Sequence, residues 1–292
     1  MKIQICEISI GIFIRASVNN MDESVLIIEA GRTEKQYFRD LWSYRELFLF
    51  LAWRDILVRY KQTFFGILWA ILRPFLTMIV FTVVFGKIAK MPSGGVPYPI
   101  LVFAAMLPWQ FFSSSLTGAS ASLLSNSNLL TKIYFPRIIM PTSSIILAFI
   151  DFLVAFVILG GLMIYYKYVP SWTILTLPVF ILLAFLTAMG VGLLIASLNV
   201  KYRDFQQIVP FIVQFGLYIS PVGFSSQVVP QKWQLLYALN PMVGVIDGFR
   251  WAILGQPLNA ASLLLSIIVS TGFMILGFWY FRKTERTFAD DI

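Results

Sequence analysis

Six long apolar runs separate the polar stretches of this chain, at residues 67–85, 99–116, 142–166, 172–198, 205–224 and 262–281. Most are near the ~20 residues that an α-helix needs to cross a ~30 Å hydrocarbon core. Runs one and three each hold a single charge, Arg73 and Asp151, and the other four hold none. In lipid every backbone N–H and C=O must find its partner inside the segment, so such runs become helices. The pattern predicts an all-α polytopic membrane protein with six transmembrane helices.

Between the runs, the pattern changes in three places. Residues 38–61 are helical in spacing, but their longest uncharged stretch is too short to span. Trp42, Leu49, Trp53, Ile56 and Tyr60 fall on one helix face, with Asp40, Arg54, Asp55 and Lys61 broadly opposite. A helix with one aromatic face and one charged face lies in the membrane interface. It is read either as an anchor or as a lever joining a cytoplasmic partner to span one. The second place is the loop after span two, which is serine-rich and then apolar. A short helix ended by Pro136 carries Leu129, Leu130, Ile133 and Tyr134, rimmed by Lys132 and Arg137. Exposed apolar side chains on a loop mark a docking surface. The third is the stretch after Ser220-Pro221. Residues 231–239 form one short helix, and Asn240-Pro241 then supplies a cap and a first-turn proline for another, running to Leu254 and stopped by Gly255. Both are too short to span, so they read as re-entrant. Phe224, Trp233, Tyr237, Phe249 and Trp251 gather there, as an aromatic interface belt or as a gate.

In span one, Pro74 follows Arg73 and predicts a kink. The depths of Arg73 and Asp151 nearly match, so a contact between them is one reading. The other has Arg73 reaching lipid phosphate and Asp151 bonding a neighbouring helix.

Composition then limits the chemistry. The 292 residues are 59% hydrophobic and 12% charged, about half the charge of a soluble domain. Mean hydropathy is +0.81. There is no histidine, and Cys6 is the one cysteine, which excludes an intrachain disulfide, a Cys/His zinc site and histidine acid–base catalysis. No catalytic residue and no metal ligand set is expected. No G-x-x-x-x-G-K-[ST] string occurs, so ATP is not bound through a Walker A loop. The net charge of +8 is distributed by side. With the N-terminus inside, sixteen of the 22 Lys/Arg fall in inner segments and five in outer loops. That bias places both termini in the cytoplasm. No basic, aromatic-interleaved stripe suggests nucleic acid. The chain divides into an N-terminal cytoplasmic segment (1–37), a six-span domain (38–285) and a cytoplasmic tail (286–292). Residues 1–20 carry a lysine before a mild apolar run, but Glu7 and Arg15 interrupt it and no A-x-A site follows. A native start at Met21 and a short surface-lying helix both fit.

Five strings, in order, carry a family resemblance. They are Arg59-Tyr-Lys-Gln-Thr with the following GILWAILRP, Leu130-Thr-Lys-Ile-Tyr-Phe-Pro-Arg137, Asn199-Val-Lys-Tyr-Arg-Asp204, Ser220-Pro-Val-Gly, and Asn240-Pro-Met with Gly248-Phe-Arg250. From about Arg39 to Glu285 the chain resembles the permease subunit of type-2 ABC exporters for lipid-linked polysaccharide, the O-antigen, teichoic acid and capsule group. The resemblance implies a homodimer joined by two nucleotide-binding ATPase subunits, which bind the ATP and Mg. It implies a cytoplasmic gate helix at 38–61 (Trp42, Trp53, Arg54, Arg59, Lys61). It implies an ATPase-coupling helix at about 128–135, with Leu129, Leu130, Lys132, Ile133, Tyr134, Phe135 and Arg137 at the contact. Two exit-gate helices follow span five, with Phe224, Trp233, Tyr237, Asn240, Phe249 and Trp251. The substrate would be a glycan on undecaprenyl diphosphate, in the bacterial inner membrane. Arg54, Arg59 and Lys61 are placed to attract its diphosphate. Competing readings are a drug or small-lipid exporter, an ion-coupled transporter using Arg73 and Asp151, and a membrane-embedded glycan-processing enzyme.

Overall fold

A computed structural model describes residues 5–8, 11–14, 27–28, 42–61, 66–132 and 135–288. The chain forms two compact units, Met1–Glu46 and Leu47–Ile292. In the first, strands Ile5–Ile8, Gly11–Ile14 and Ile27–Ile28 pair antiparallel in that order. Where a surface helix is one reading of 1–20, the β-branched Ile5, Ile8, Ile12 and Ile14 sit in strands.

The described part of the second unit is helical throughout. Helix α1 is Arg45–Lys61 and α2 is Gly66–Phe81, which runs on as a π-helical segment, Thr82–Ile88. Helix α3 is Tyr98–Ser125, α4 Ser127–Lys132, α5 Ile139–Tyr165, α6 Leu177–Lys201 and α7 Phe205–Ile219. The last three are α8 (Gln231–Tyr237), α9 (Pro241–Leu254) and α10 (Ala260–Thr284).

Among the described residues, four helices are long and apolar enough to cross a membrane: α3, α5, α10, and α6 with the 3-10 turn Trp172–Thr176 that precedes it. The other two apolar runs form shorter α-helices. Helix α7 has 15 residues, about 22 Å at 1.5 Å per residue. It stops at Ser220, short of the expected 224. Helix α2 gives way to the π segment instead of running straight to residue 85. Helix α3 also departs from expectation, continuing nine residues past 116 through the serine-rich stretch expected to be loop. Its hydroxyls explain this. Ser113, Thr117, Ser120, Ser122 and Ser125 each donate to a carbonyl three or four residues back, at 2.7–3.1 Å. Paired in this way, a hydroxyl asks nothing of its surroundings.

Helix α3 is the centre of the bundle. It is buried without a break from Ile100 to Trp109, as expected for a helix apolar all round. Helices α5, α6 and α9 pack on it, and α10 packs on α6. The α6–α10 seam is built from small residues. A Cβ on Gly277 would lie 2.0 Å from the Gly190 carbonyl oxygen, and one on Gly190 would lie 2.5 Å from the Met274 nitrogen. Thr187 donates to Ser270 across the same seam at 2.8 Å, fully buried. Small residues let two backbones approach closely where lipid supplies no hydrophobic drive.

Candidate functional site

The polar groups of the bundle concentrate at the two ends of α3. That helix has 28 residues, so its ends are about 42 Å apart.

At the Tyr98 end, the chain leaving α7 makes a tight loop, 220–224, held almost wholly through its backbone. Arg250 of α9 is 1% exposed. Its Nη1 donates to the Phe224 carbonyl at 2.7 Å and its Nη2 to that of Val222 at 3.0 Å. The Tyr98 hydroxyl donates to the Gly223 carbonyl at 2.6 Å, and Tyr237 donates to Ile219 at 2.7 Å. Gly223 also lies against the π segment, where an added Cβ would sit 2.6 Å from the Phe85 ring. Asp247, one turn before Arg250, is its electrostatic partner and hydrogen-bonds Ser226. The guanidinium meets two carbonyl acceptors with a carboxyl group nearby, its Nε having no partner, and its fork fixes two peptide planes at once.

Helix α9 has the bounds expected from sequence. The Asn240 side chain accepts from the Met242 N–H at 3.0 Å, and Pro241 sits at the first helical position. Gly255 closes the far end with φ 64°, a conformation that favours glycine. The last carbonyls of α9 are also taken. Tyr168 donates to Leu254 at 2.9 Å, and Thr173 to Trp251 and Ala252 at 3.0 and 3.1 Å. Burial of Tyr168, in the loop after α5, raises its pKa above the usual phenol value. Asn240 does a second job, donating to Ser220 Oγ at 3.0 Å. Asn240→Ala should therefore destabilise the protein by about 1 kcal/mol through the cap, and by more through the Ser220 bond. Asn240→Asp keeps the cap acceptor and loses only the donor, so its thermal midpoint in detergent should fall between wild type and alanine. Equal midpoints for Asn240→Asp and wild type would show that the Ser220 bond contributes nothing, and equal midpoints for the two variants that the cap contributes nothing.

The aromatic residues expected at this end separate into different environments. Trp233 is 52% exposed on α8. Tyr237 is half-buried and tied to Ile219. Phe224 is half-buried, and its carbonyl is one of the Arg250 acceptors. Phe249 is fully buried and packs edge-on against Phe152 at 6.1 Å, which makes it a core residue. Trp251 packs edge-on against Phe180 at 5.9 Å.

At the Asn126 end, Arg54 of α1 joins two elements. Its Nη2 donates to Asp55 at 2.8 Å and to Asn126 Oδ1 at 3.1 Å. Asn126 is the hinge between α3 and α4: its carbonyl accepts from the N–H groups of Leu129 and Leu130. Of the helix expected over 128–135, the described part is Ser127–Lys132. Leu129 is half-buried, Leu130 and Phe135 are buried, and Lys132 is exposed. Ile133 and Tyr134 lie outside the described residues. The Arg137 N–H donates to Glu285 Oε1 at 2.8 Å, and its guanidinium donates to the Glu285 carbonyl. Glu285 also pairs with Arg282 at 3.3 Å. The turn before α5 is thus pinned to the end of α10.

Trp42 is 70% exposed with the Arg45 guanidinium over its ring, and Trp53 is 60% exposed. Among the described side chains of α1, Leu51 and Ala52 are buried. The side chains of Arg59 and Lys61 lie outside the described residues. Arg73 is exposed on α2 and Asp151 is half-buried on α5. Among the described residues no cluster of three or more His, Cys, Asp or Glu could hold a metal.

Sequence reasoning passed over Asn126, Tyr98, Asp247 and Glu285. Asn126 had a usable signal, because an asparagine after a serine-rich helix and two residues before another apolar turn is a natural helix junction.

Comparison with known proteins adds an independent finding. The family described as ABC-2 type transporter matches residues 46–254. The chain is 28% identical over 258 residues to the O-antigen export system permease protein RfbA of Myxococcus xanthus, covering 87% of this chain and 98% of that protein. It is 25% identical over 239 residues to the polysialic acid transport protein KpsM of Escherichia coli, covering 80% and 91%. It is 26% identical over 214 residues to the capsule polysaccharide export inner-membrane protein CtrC of Neisseria meningitidis serogroup A, covering 70% and 78%.

Proposed function

Because the chain belongs to the ABC-2 type transporter family, we propose that it is the membrane-spanning subunit of an exporter that moves lipid-linked polysaccharide across the bacterial inner membrane. It is a translocation subunit and not an enzyme. ATP and Mg are bound by two separate nucleotide-binding subunits, and a second copy of this chain completes the pathway. The glycan travels on undecaprenyl diphosphate. The names of the relatives, O-antigen, polysialic acid and capsule export proteins, support the substrate class.

The observation that carries the reading is α9. It has 14 residues, too few to cross, yet eleven of them, from Met242 to Leu254, are buried with both helix ends satisfied. Lipid tolerates non-spanning backbone only where it is enclosed by protein or lines a cavity. A capped half-length helix at one end of the bundle is what a re-entrant exit gate requires. Six crossings follow if α2 spans together with its π segment and α7 spans with the loop that Arg250 holds. Then α1 and α4 lie on the cytoplasmic side, α4 docks on the ATPase, and α8 and α9 face outward.

Reporter fusions test the topology. Fusions at Lys90, Lys167 and Gln256 should read as external, and fusions after Ser127 and Arg203 as internal. Function is tested by deleting the gene and scoring surface glycan, with restoration by the chain expressed together with its ATPase. Normal surface glycan without the chain would overturn the proposal.

A further inference from the structure

Beside the Arg250 clamp lies a cavity of about 290 Å³ between α8, α9 and the start of α10. Its lining is mostly polar: Ser226, Gln227, Gln234, Tyr237, Asp247 and Asn259, together with Ser262. We infer that this cavity is a binding site for one neutral, hydroxyl-rich unit, a single sugar residue, on the outward side of the protein. The inference rests on the reading of this end as the exit.

Charge selects the ligand class. No lysine or arginine lines the cavity. The Arg250 guanidinium is turned to the carbonyls of Val222 and Phe224, so no cation is offered to a phosphate. Asp247 is the one acidic group in the lining, and a single carboxyl group is too few ligands for a metal ion. What remains is a carboxylate and three carboxamides. A carboxylate only accepts, a carboxamide both donates and accepts, and a sugar hydroxyl does both, so each ring hydroxyl finds a partner of either kind. The groups are held in place. Asn259 Nδ2 donates to Gln234 Oε1 at 3.0 Å, and Gln234 Nε2 donates to the Val229 carbonyl at 3.2 Å. The Tyr237 hydroxyl is committed to Ile219, leaving its ring as an apolar wall. Size points the same way, since the volume is at the lower end of ligand pockets, which run from about 300 Å³ upward.

The test uses the purified full chain in lipid nanodiscs and saturation-transfer NMR. Galactose, rhamnose, N-acetylglucosamine and pyrophosphate are the probes. At least one neutral sugar should receive saturation and pyrophosphate none. Asp247→Asn should weaken sugar binding roughly tenfold, as expected for loss of a hydrogen bond to a charged group. Because Asp247 also faces Arg250, Gln227→Ala is the second variant. Its exposed side chain can be removed without disturbing the clamp, and it should weaken binding severalfold with unchanged near-UV dichroism. Absence of saturation for all three sugars, a pyrophosphate signal that Gln227→Ala removes, or sugar binding unchanged in both variants would each overturn the inference. Surface glycan is scored in the same strains. If it persists while no sugar binds, the cavity assignment fails and the export reading stands.

Discussion

Gly277→Ala should cripple accumulation of the protein in the membrane, while Gly272→Ala, five residues earlier in α10, should be tolerated. The two differ only in what the new methyl meets. At Gly272 there is open space, and at Gly277 the methyl would sit 2.0 Å from the Gly190 carbonyl oxygen. Backbone cannot rotate away as a flexible side chain does, so α6 and α10 must separate. Overpacking typically destabilises by about 1–3 kcal/mol, and a clash with backbone belongs at the top of that range. Separation would also stretch the buried Thr187–Ser270 bond. The check is the thermal midpoint of the purified variants in one detergent. Equal midpoints for Gly277→Ala and Gly272→Ala would mean that the seam is not as tight as described.

The second large effect is expected at Arg250. Arg250→Leu leaves the Val222 and Phe224 carbonyls without their donor and Asp247 without its opposite charge. A buried acceptor left without its donor costs about 1–3 kcal/mol, and two carbonyls lose theirs here. The protein should melt earlier, and surface glycan should be lost. Adding Asp247→Asn to Arg250→Leu removes the stranded charge, so the double variant should be more stable than Arg250→Leu alone. Export should stay low in it, because loop 220–224 is still unpinned. A double variant no more stable than the single would show that Asp247 and Arg250 do not depend on each other.

How much of this was readable from sequence follows from where each interaction is made. Helix α9 was bounded to the residue, because Asn240, Pro241 and Gly255 act on their own backbone and need no distant partner. The end of α3 was misplaced because Ser113 to Ser125 look like a polar loop. Their hydroxyls turn back onto their own helix, a choice that composition does not reveal. The π segment after Phe81 left no signal, and Pro74 pointed to irregularity in α2 without locating it. Arg250 was visible as part of a string, but its role was not. Its acceptors are main-chain carbonyls 26 and 28 residues away, and a carbonyl has no side-chain identity to read. The α6–α10 seam does have a pattern in the sequence. Ser262, Ser266 and Ser270 recur every four residues and Gly277 lies seven further on, all buried, a stripe of small residues on one helix face.

The inward-turned hydroxyls have a consequence for motion. A hydroxyl that bridges two helices must be broken before they can slide, and in a dry interior the broken partner has no water to replace it. Ser113, Thr117, Ser122, Thr142, Ser143, Ser197 and Thr271 all hold carbonyls of their own helices at 2.7–3.1 Å. A shift of one such helix against its neighbour leaves these bonds intact and exchanges only van der Waals contacts, each worth about 0.1–0.2 kcal/mol. The bundle works as a dry bearing, with low friction along the helix flanks. Its fixed points are the bonds that do cross between elements, which include Arg54 to Asn126 and Arg137 to Glu285 at one end, Arg250 to the 220–224 loop at the other, and the buried Asn199–Ser120 and Thr187–Ser270 bonds between helices.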